Sequence, residues 1–148
     1  MSQFRFVLDT NVVLDWLVFD DAATDELRGS IETHRATVLT HELAIAELQR
    51  VLSYPALNLS AGKQANVLAK YVAHTVQIEM PLGFSRDNLL LPASFPRCRD
   101  RDDQFLFALA LHGKADVLIT RDRQVLSMAR RVTSFGIRIV DLQNYSAV

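Results

Sequence analysis

Short runs of strand-forming residues alternate with helical stretches through most of this chain of 148 residues. The runs are rich in β-branched and aromatic side chains, which fit a pleated surface, whereas the stretches between them place apolar residues at helical spacing. The predicted strands are residues 5–8, 37–39, 76–80, 117–119 and 137–140. Since parallel strands are usually joined by a helix, the alternation predicts an α/β fold with a mostly parallel sheet and helices on both faces.

The composition is that of an ordinary globular protein, with 49% hydrophobic and 22% charged residues, and the length suits a single domain over residues 1–148. The 16 Lys and Arg residues nearly balance the 17 Asp and Glu residues, which argues against a bulk binder of polyanions. Cys98 is the only cysteine, so an intrachain disulfide is excluded and a zinc cluster is disfavoured. With no signal-peptide pattern and no apolar run near the roughly 18 residues of a membrane span, we expect a cytoplasmic protein with no membrane partner.

The first predicted strand ends in a carboxylate and two small polar residues, Asp9, Thr10 and Asn11. In open parallel sheets, ligands bind in the crevice outside the carboxyl ends of the strands. A carboxylate that closes a buried strand is cut off from water unless it faces such a cleft. Asp9 is therefore predicted to be the first of several carboxylates that hold divalent metal.

Three further acids occur in contexts that suit the same cleft. Asp122 follows the strand 117–119, Asp103 starts a strongly apolar helix, and Glu47 lies on or beside the apolar stripe of a mid-chain helix. Each also has an ordinary structural alternative. Asp103 or its neighbour Asp102 suits a helix N-cap, Asp122 suits a turn, and Glu47 suits a boundary position that reaches solvent.

Carboxylates that gather in one place need a counter-charge. Two of them about 4 Å apart repel by roughly 4 kcal/mol at an effective dielectric constant near 20. A larger group would raise its own pKa values or destabilise the fold. Because no His or Cys ligand lies near these acids in the sequence, the predicted cation is Mg²⁺ or Mn²⁺, hard ions that prefer oxygen ligands.

Four segments of the chain resemble, in order and spacing, the acidic motifs of the PIN domain family. They are Val7 to Asn11, Glu47 with Leu48, residues 103–110 and residues 118–122. The resemblance covers Phe6 to about Leu142. The group that the chain most resembles is the toxins of bacterial toxin–antitoxin pairs, similar to VapC-type ribonucleases.

This resemblance implies a three-layer α/β/α fold and a ribonuclease that uses Mg²⁺ or Mn²⁺ to hydrolyse RNA phosphodiester bonds. The implied acidic site consists of Asp9, Glu47, Asp103 and Asp122, with Thr10, Asn11 and Thr120 as supporting residues around it. A small antitoxin protein is the implied partner, and a homodimer is a further expectation. We expect a basic arm of that partner to enter the acidic cleft, and apolar surface from Trp16, Leu17 or the early helices to dock it.

The third acidic motif leaves one assignment open. The run from Arg99 to Asp103 contains three aspartates, so Asp100 or Asp102 can replace Asp103 as the ligand. The preceding loop, residues 81–101, matches no motif, and its role is open.

Arginines flank the third and fourth acids. Arg99, Arg101 and Arg121 are the candidates for contacts to RNA phosphates, which supply most of the non-specific affinity for nucleic acid. The equally weighted alternative is that they are solvated loop arginines that balance the acids.

Other functional classes fit the sequence less well. No Gly-rich fingerprint follows the first strand, and there is no P-loop or Gly-x-Ser-x-Gly elbow. A phosphatase of the haloacid dehalogenase type would carry a second aspartate at position 11, where this chain has Asn11. The serious alternative is a catalytically silent PIN-like module that binds RNA or another protein.

Overall fold

The computed structural model describes residues 3–145, and it contains one five-stranded sheet. The strands are β1 (Phe4–Leu8), β2 (Ala36–Thr40), β3 (Thr75–Gln77), β4 (Val117–Thr120) and β5 (Arg138–Asp141). Every pairing is parallel, and the strand order is β3-β2-β1-β4-β5. The predicted α/β architecture is confirmed, and the sheet of the described residues is parallel throughout. The single-domain assignment over 1–148 stays a prediction, and residues 1–2 and 146–148 lie outside the described part.

Helices connect the strands. They are α1 (Thr10–Leu17), α2 (Asp25–Glu32), α3 (Glu42–Leu52), α4 (Ala61–Ala73), α5 (Arg101–His112), α6 (Arg123–Leu126) and α7 (Ala129–Val132). Two of the helical stretches between strands are divided in the structure. The stretch 22–33 begins with a 3₁₀ turn at Ala22–Thr24, and the stretch 124–131 is interrupted at Ser127 and Met128. No described helix has both the length and the apolar character needed to cross a lipid bilayer.

Alternating side chains of the strands build two cores, one on each face of the sheet. On β1, Phe6 and Leu8 pack with α1 to α4, whereas Val7 between them packs with α5, α6 and α7. Strand β4 follows the same rule, with Ile119 on the first face and Leu118 on the second. This period of two is what a pleated strand covered on both faces requires. The result is the three-layer α/β/α fold that the resemblance implied.

The sheet reverses its winding direction at β1. The chain proceeds outward from β1 through β2 to β3, and then returns to the other side of β1 with β4 and β5. The carboxyl ends of β1 and β4 therefore lie side by side at a topological switch point, where helices from the two strands diverge and leave a crevice. Asp9 directly follows the end of β1, and Asp122 lies two residues beyond the end of β4. The topology thus brings residues far apart in sequence to one place.

Contacts outside the helix decide which residue caps α3. A threonine that follows a strand is a common N-cap residue, but Thr40 is the last residue of β2, and its buried hydroxyl lies 2.8 Å from the Tyr71 hydroxyl. His41 caps α3 instead, and its Nδ1 accepts from the Leu43 amide. Because the Thr40 hydroxyl is engaged with Tyr71 across the core, the next residue along the chain takes the capping role.

Gly113 ends α5, but a left-handed turn is not the reason for the glycine. Its φ is −81°, which any residue adopts. A Cβ at this position would lie 2.8 Å from Leu39 Cδ1 and 2.9 Å from Ile78 Cδ1. The glycine therefore allows the end of α5 to approach the sheet closely.

Candidate metal centre

Three aspartates from distant parts of the chain meet at the switch point. Asp9 follows β1, Asp103 lies in the first turn of α5, and Asp122 lies just beyond β4. Each offers a carboxylate oxygen, and these oxygens all lie within 4.8 Å of one another. Asp9 is 8% exposed, while the other two side chains are half-buried.

Thr120 joins two of these aspartates by hydrogen bonds. Its buried hydroxyl donates to Asp9 Oδ2 at 2.8 Å and accepts from the Asp122 amide at 2.9 Å. The Asp9 amide in turn donates to the carbonyl of Ile119 on β4 at 2.9 Å. Because Thr120 is the last residue of a central strand and is fully buried, it holds the two carboxylates on a rigid support.

Asp100 caps α5, which leaves Asp103 available for the cluster. The Asp100 carboxylate accepts from the Asp102 amide at 3.0 Å, so the N-cap role considered for Asp102 or Asp103 belongs to Asp100. Asp102 is exposed and lies outside the three-aspartate group. Asp122 serves two purposes, since its Oδ1 caps α6 by accepting from the Gln124 amide at 2.8 Å.

Two carboxyl groups of the cluster, those of Asp103 and Asp9, hold their protons more tightly than isolated aspartates do. Burial, together with the charges of Asp9 and Asp122, raises the pKa of Asp103 to about 7. Burial also raises the pKa of Asp9, although the hydrogen bond from Thr120 opposes the rise. Ionising all the carboxylates of this site is therefore unfavourable unless a bound cation compensates their negative charge.

We expect the metal-free protein to lose stability between about pH 4 and pH 7. The folded state keeps a proton on Asp103 that the unfolded chain releases near its ordinary pKa of 3.8. This contribution is fully present below that pKa and is lost as the pH rises to about 7. Asp103→Asn should remove the loss and make the variant about 1–2 kcal/mol more stable than the wild type at pH 8, after discounting for solvent screening. Urea unfolding in EDTA at several pH values measures this, and parallel pH profiles of the two proteins would contradict it.

Glu47 lies apart from the three aspartates. It belongs to α3, its side chain is 29% exposed, and Arg50 Nη2 lies 3.5 Å from its Oε1. It remains close enough to Asp9 that their charges repel, which adds to the effect of burial in raising the pKa of Glu47. Glu47 is thus an outer neighbour of the cluster, and its predicted role as a direct ligand stays a prediction.

The donor set fits a hard cation. All three grouped side chains offer carboxylate oxygen, the ligand type that Mg²⁺ and Mn²⁺ prefer. Asn11 Oδ1 is buried and has no hydrogen-bond partner within residues 3–145, which adds an unused oxygen in the first turn of α1, two residues after Asp9. Thr10 contributes its backbone, which favours the charged form of Asp9. The identity of the ion stays a prediction.

The three candidate arginines lie in three different environments. Arg121 Nε is 2.9 Å from Oδ2 of Asp15, a buried acid on α1, although the pair lacks hydrogen-bond geometry. Arg99 lies with other arginines beside α6, whereas Arg101 lines a pocket that also contains Glu47. The three arginines do not share one environment, and their contacts to RNA phosphates stay a prediction.

Asp15 is a functional candidate that the sequence reasoning missed. Its side chain is 4% exposed, and burial raises its pKa while the Arg121 charge lowers it. A signal was present, because Asp15 is the single acid in an otherwise apolar helix. An acid in such a helix indicates a buried partner, and the partner here is the arginine that precedes Asp122 in the chain.

Comparison with known proteins agrees with this geometry. A family model described as PIN domain matches residues 5–124, which includes β1, β4 and all three aspartates. A solved structure, the crystal structure of VapBC2 from Rickettsia felis bound to a DNA fragment from their promoter, has the same fold with a TM-score of 0.62. The identity is 14%, over 93% of this chain and 98% of that chain. Among curated proteins there is no significant match. Since the family model spans most of the sequence, the chain belongs to the PIN domain family.

Proposed function

We propose that this protein is an endoribonuclease that depends on Mg²⁺ or Mn²⁺ and hydrolyses RNA phosphodiester bonds. The observation that carries the proposal is the meeting of Asp9, Asp103 and Asp122 within 4.8 Å at the switch point of a PIN-type sheet. Family membership supports the same conclusion, because the matched residues 5–124 contain all three aspartates.

Each residue of the site has a defined task in this proposal. Asp9, Asp103 and Asp122 hold the cation, Thr120 fixes the orientation of Asp9, and Glu47 orients water from its outer position. The bound cation would lower the pKa of a water molecule and neutralise charge that develops on the phosphate. No side chain of the site needs to act as the nucleophile.

A group of arginines is the proposed contact for the RNA backbone. Arg97, Arg99, Arg123 and Arg131 line a shallow depression of about 500 Å³ beside α6. Within residues 3–145, none of these four guanidinium groups has a carboxylate at ion-pair distance. Arg131 Nη2 donates only to the weak acceptor Met128 Sδ, so the charges of the four groups are available to bind phosphates next to the acidic cluster.

We expect Mg²⁺ or Mn²⁺ to raise the melting temperature of the protein. If the dissociation constant is on the order of 1 mM, a metal concentration of about 10 mM contributes about 1.4 kcal/mol by linkage. For a chain of this size the rise is roughly 3–6 °C. Differential scanning fluorimetry with and without EDTA measures it, and the rise should vanish in Asp9→Asn. An equal rise in that variant would locate the ion elsewhere.

A cleavage assay on mixed single-stranded RNA, with metal and with EDTA, tests the nuclease directly. Fragments that form only with metal support the proposed function. The second candidate, a catalytically silent module that binds RNA or protein, would bind RNA without producing fragments. The grouping of three aspartates within the region matched to the PIN domain favours the nuclease.

We further propose that the protein is the toxin of a toxin–antitoxin pair and works in the cytoplasm. The support is the shared fold with a VapBC2 structure, together with the acidic cleft, which attracts a basic arm of a small partner. The prediction that Trp16 supplies docking surface is wrong, because its side chain is only 6% exposed and its ring packs against His74. Phe19, Tyr54 and Val72 are exposed apolar residues near the ends of α1 and α3 and on α4, so they are the better candidates for docking or for a homodimer.

Expression of the chain alone, and together with its neighbouring small gene, tests this assignment. The chain alone should slow growth, and the neighbour should bind it and relieve the effect. Unimpaired growth, together with a neighbour that does not bind, would refute the toxin assignment without refuting the nuclease.

A further inference from the structure

A pocket of about 280 Å³ lies beside Glu47, between α3, α5 and the long loop that precedes α5. Its apolar surface comes from Leu43 and Phe105, and its charged groups include Arg86, Arg101 and Asp102. Glu47 forms the wall of the pocket on the side of the acidic cluster, since it lies close enough to Asp9 for their charges to repel. The pocket is therefore a neighbour of the proposed metal centre.

The loop that closes this pocket is held in place, although the sequence offered no motif for it. Gln104 donates to the Pro96 carbonyl at 3.1 Å and accepts from the Cys98 amide, and His112 Nε2 lies 2.9 Å from the Leu89 carbonyl oxygen. Phe84 packs its ring against Phe105 at a centroid distance of 6.3 Å. Because the loop contacts α5 at several points, the pocket has a defined shape in the absence of a ligand.

The lining selects the chemistry of the occupant. The lining combines two guanidinium groups with the three carboxylates of Glu47, Asp87 and Asp102, so a ligand that offers both hydrogen-bond acceptors and donors matches it better than a bare cation or a bare phosphate. The aromatic and aliphatic surface suits a flat molecule. Bases of single-stranded RNA have a flat face that stacks on aromatic or guanidinium planes and edges that form hydrogen bonds.

Guanine matches this lining better than the other bases. Guanine presents the O6 and N7 acceptors, to which one arginine donates two hydrogen bonds, and an N2 amino group that donates to a carboxylate. Adenine and cytosine each lack one part of that pattern, and uracil has no exocyclic amino group. The combination of Arg86 or Arg101 with Asp102 can therefore read both edges of a guanine.

We propose that this pocket binds the guanine base of a nucleotide next to the scissile phosphate and so sets the sequence preference of cleavage. The proposal rests on the nuclease function proposed above. It gives loop 81–101 a task, since that loop contributes Arg86 and closes the pocket. It also separates Arg101, which contacts a base, from Arg99, which lies with the arginines assigned to the backbone.

Single-stranded RNA oligonucleotides that differ at one position test the preference. We expect the wild type to cleave next to guanine about ten to a hundred times faster than next to adenine, the discrimination typical of a bidentate arginine contact. Arg86→Gln should reduce that ratio to below about threefold. Arg35→Gln, an exposed arginine at the start of β2 and far from the pocket, is the matched control and should keep the wild-type ratio. Thermal melts of both variants confirm that they fold.

A second measurement does not depend on catalysis. Asp9→Asn protein is titrated separately with guanosine, adenosine, cytidine and uridine 5′-monophosphates, and binding is followed by amide shifts near Phe105. Selective binding of the guanosine nucleotide, lost in the Arg86→Gln background, supports the pocket. Cleavage with no base preference, or equal binding of all four nucleotides, would overturn the inference and leave the nuclease standing. Selective binding without cleavage of any RNA would instead refute the nuclease and keep the pocket assignment.

Discussion

Asp9→Asn is expected to reduce metal-dependent RNA cleavage by at least about a hundredfold, the loss typical when one fixed electrostatic contact to a transition state is removed. The variant should stay folded, because asparagine keeps an oxygen that accepts from the Thr120 hydroxyl. Stability in EDTA should be unchanged or higher, since the substitution removes the repulsion that Asp9 exerts on Asp103. Cleavage rates at saturating metal and urea unfolding in EDTA measure the two effects.

Glu32→Gln is the control for this experiment. It removes one negative charge from the exposed end of α2, far along the chain from the three aspartates, and should leave cleavage unchanged. A marked fall in the melting temperature of Asp9→Asn and Asp103→Asn would make these acids structural caps. Full activity of Asp9→Asn would refute the metal centre.

Arg121→Gln is expected to destabilise the protein by about 2 kcal/mol, because it leaves the Asp15 carboxylate buried without its charge partner. The full penalty for breaking a buried pair is larger, but Arg121 is 40% exposed, so solvent screens part of it. For a chain of this length the melting temperature should fall by roughly 5–8 °C. The double variant Asp15→Asn with Arg121→Gln should recover most of the loss, since no charge then remains buried.

The neighbouring Arg123→Gln is the matched control. Arg123 is exposed and has no ion pair among the described residues, so its loss should change stability by less than about 0.5 kcal/mol. If Arg121 instead serves RNA, Arg121→Gln should leave stability unchanged and flatten the salt dependence of RNA binding. The two variants together therefore decide between a structural pair and a phosphate contact.

The sequence alone determined the mostly parallel α/β architecture and the positions of Asp9 and Asp122 after strands, whereas the strand order came from the tertiary structure. Apolar runs with period two and helical spacing between them are local patterns, and burial on both faces leaves little freedom for strands such as β1 and β4. A carboxylate directly after a buried strand needs water or a cation to stabilise its charge, and only a cleft provides either. Its position in a cleft can therefore be predicted from the sequence. Motif order then added Asp103, which the structure brings to the same point.

Only the tertiary structure decided which neighbours these acids have. Glu47 and Asp103 both lie on inner faces of helices, but helix placement over the sheet leaves Glu47 outside the group and Asp103 within it. Arg99 and Arg101 are two residues apart, yet Arg99 precedes the N-cap of α5 and Arg101 is the first residue of that helix, and they line different depressions. The pairing of Asp15 with Arg121 joins residues that are distant in the chain and meet only because β4 lies beside β1. Long-range contacts of this kind leave no periodic trace in a sequence, because they depend on packing between elements rather than on the pattern within one.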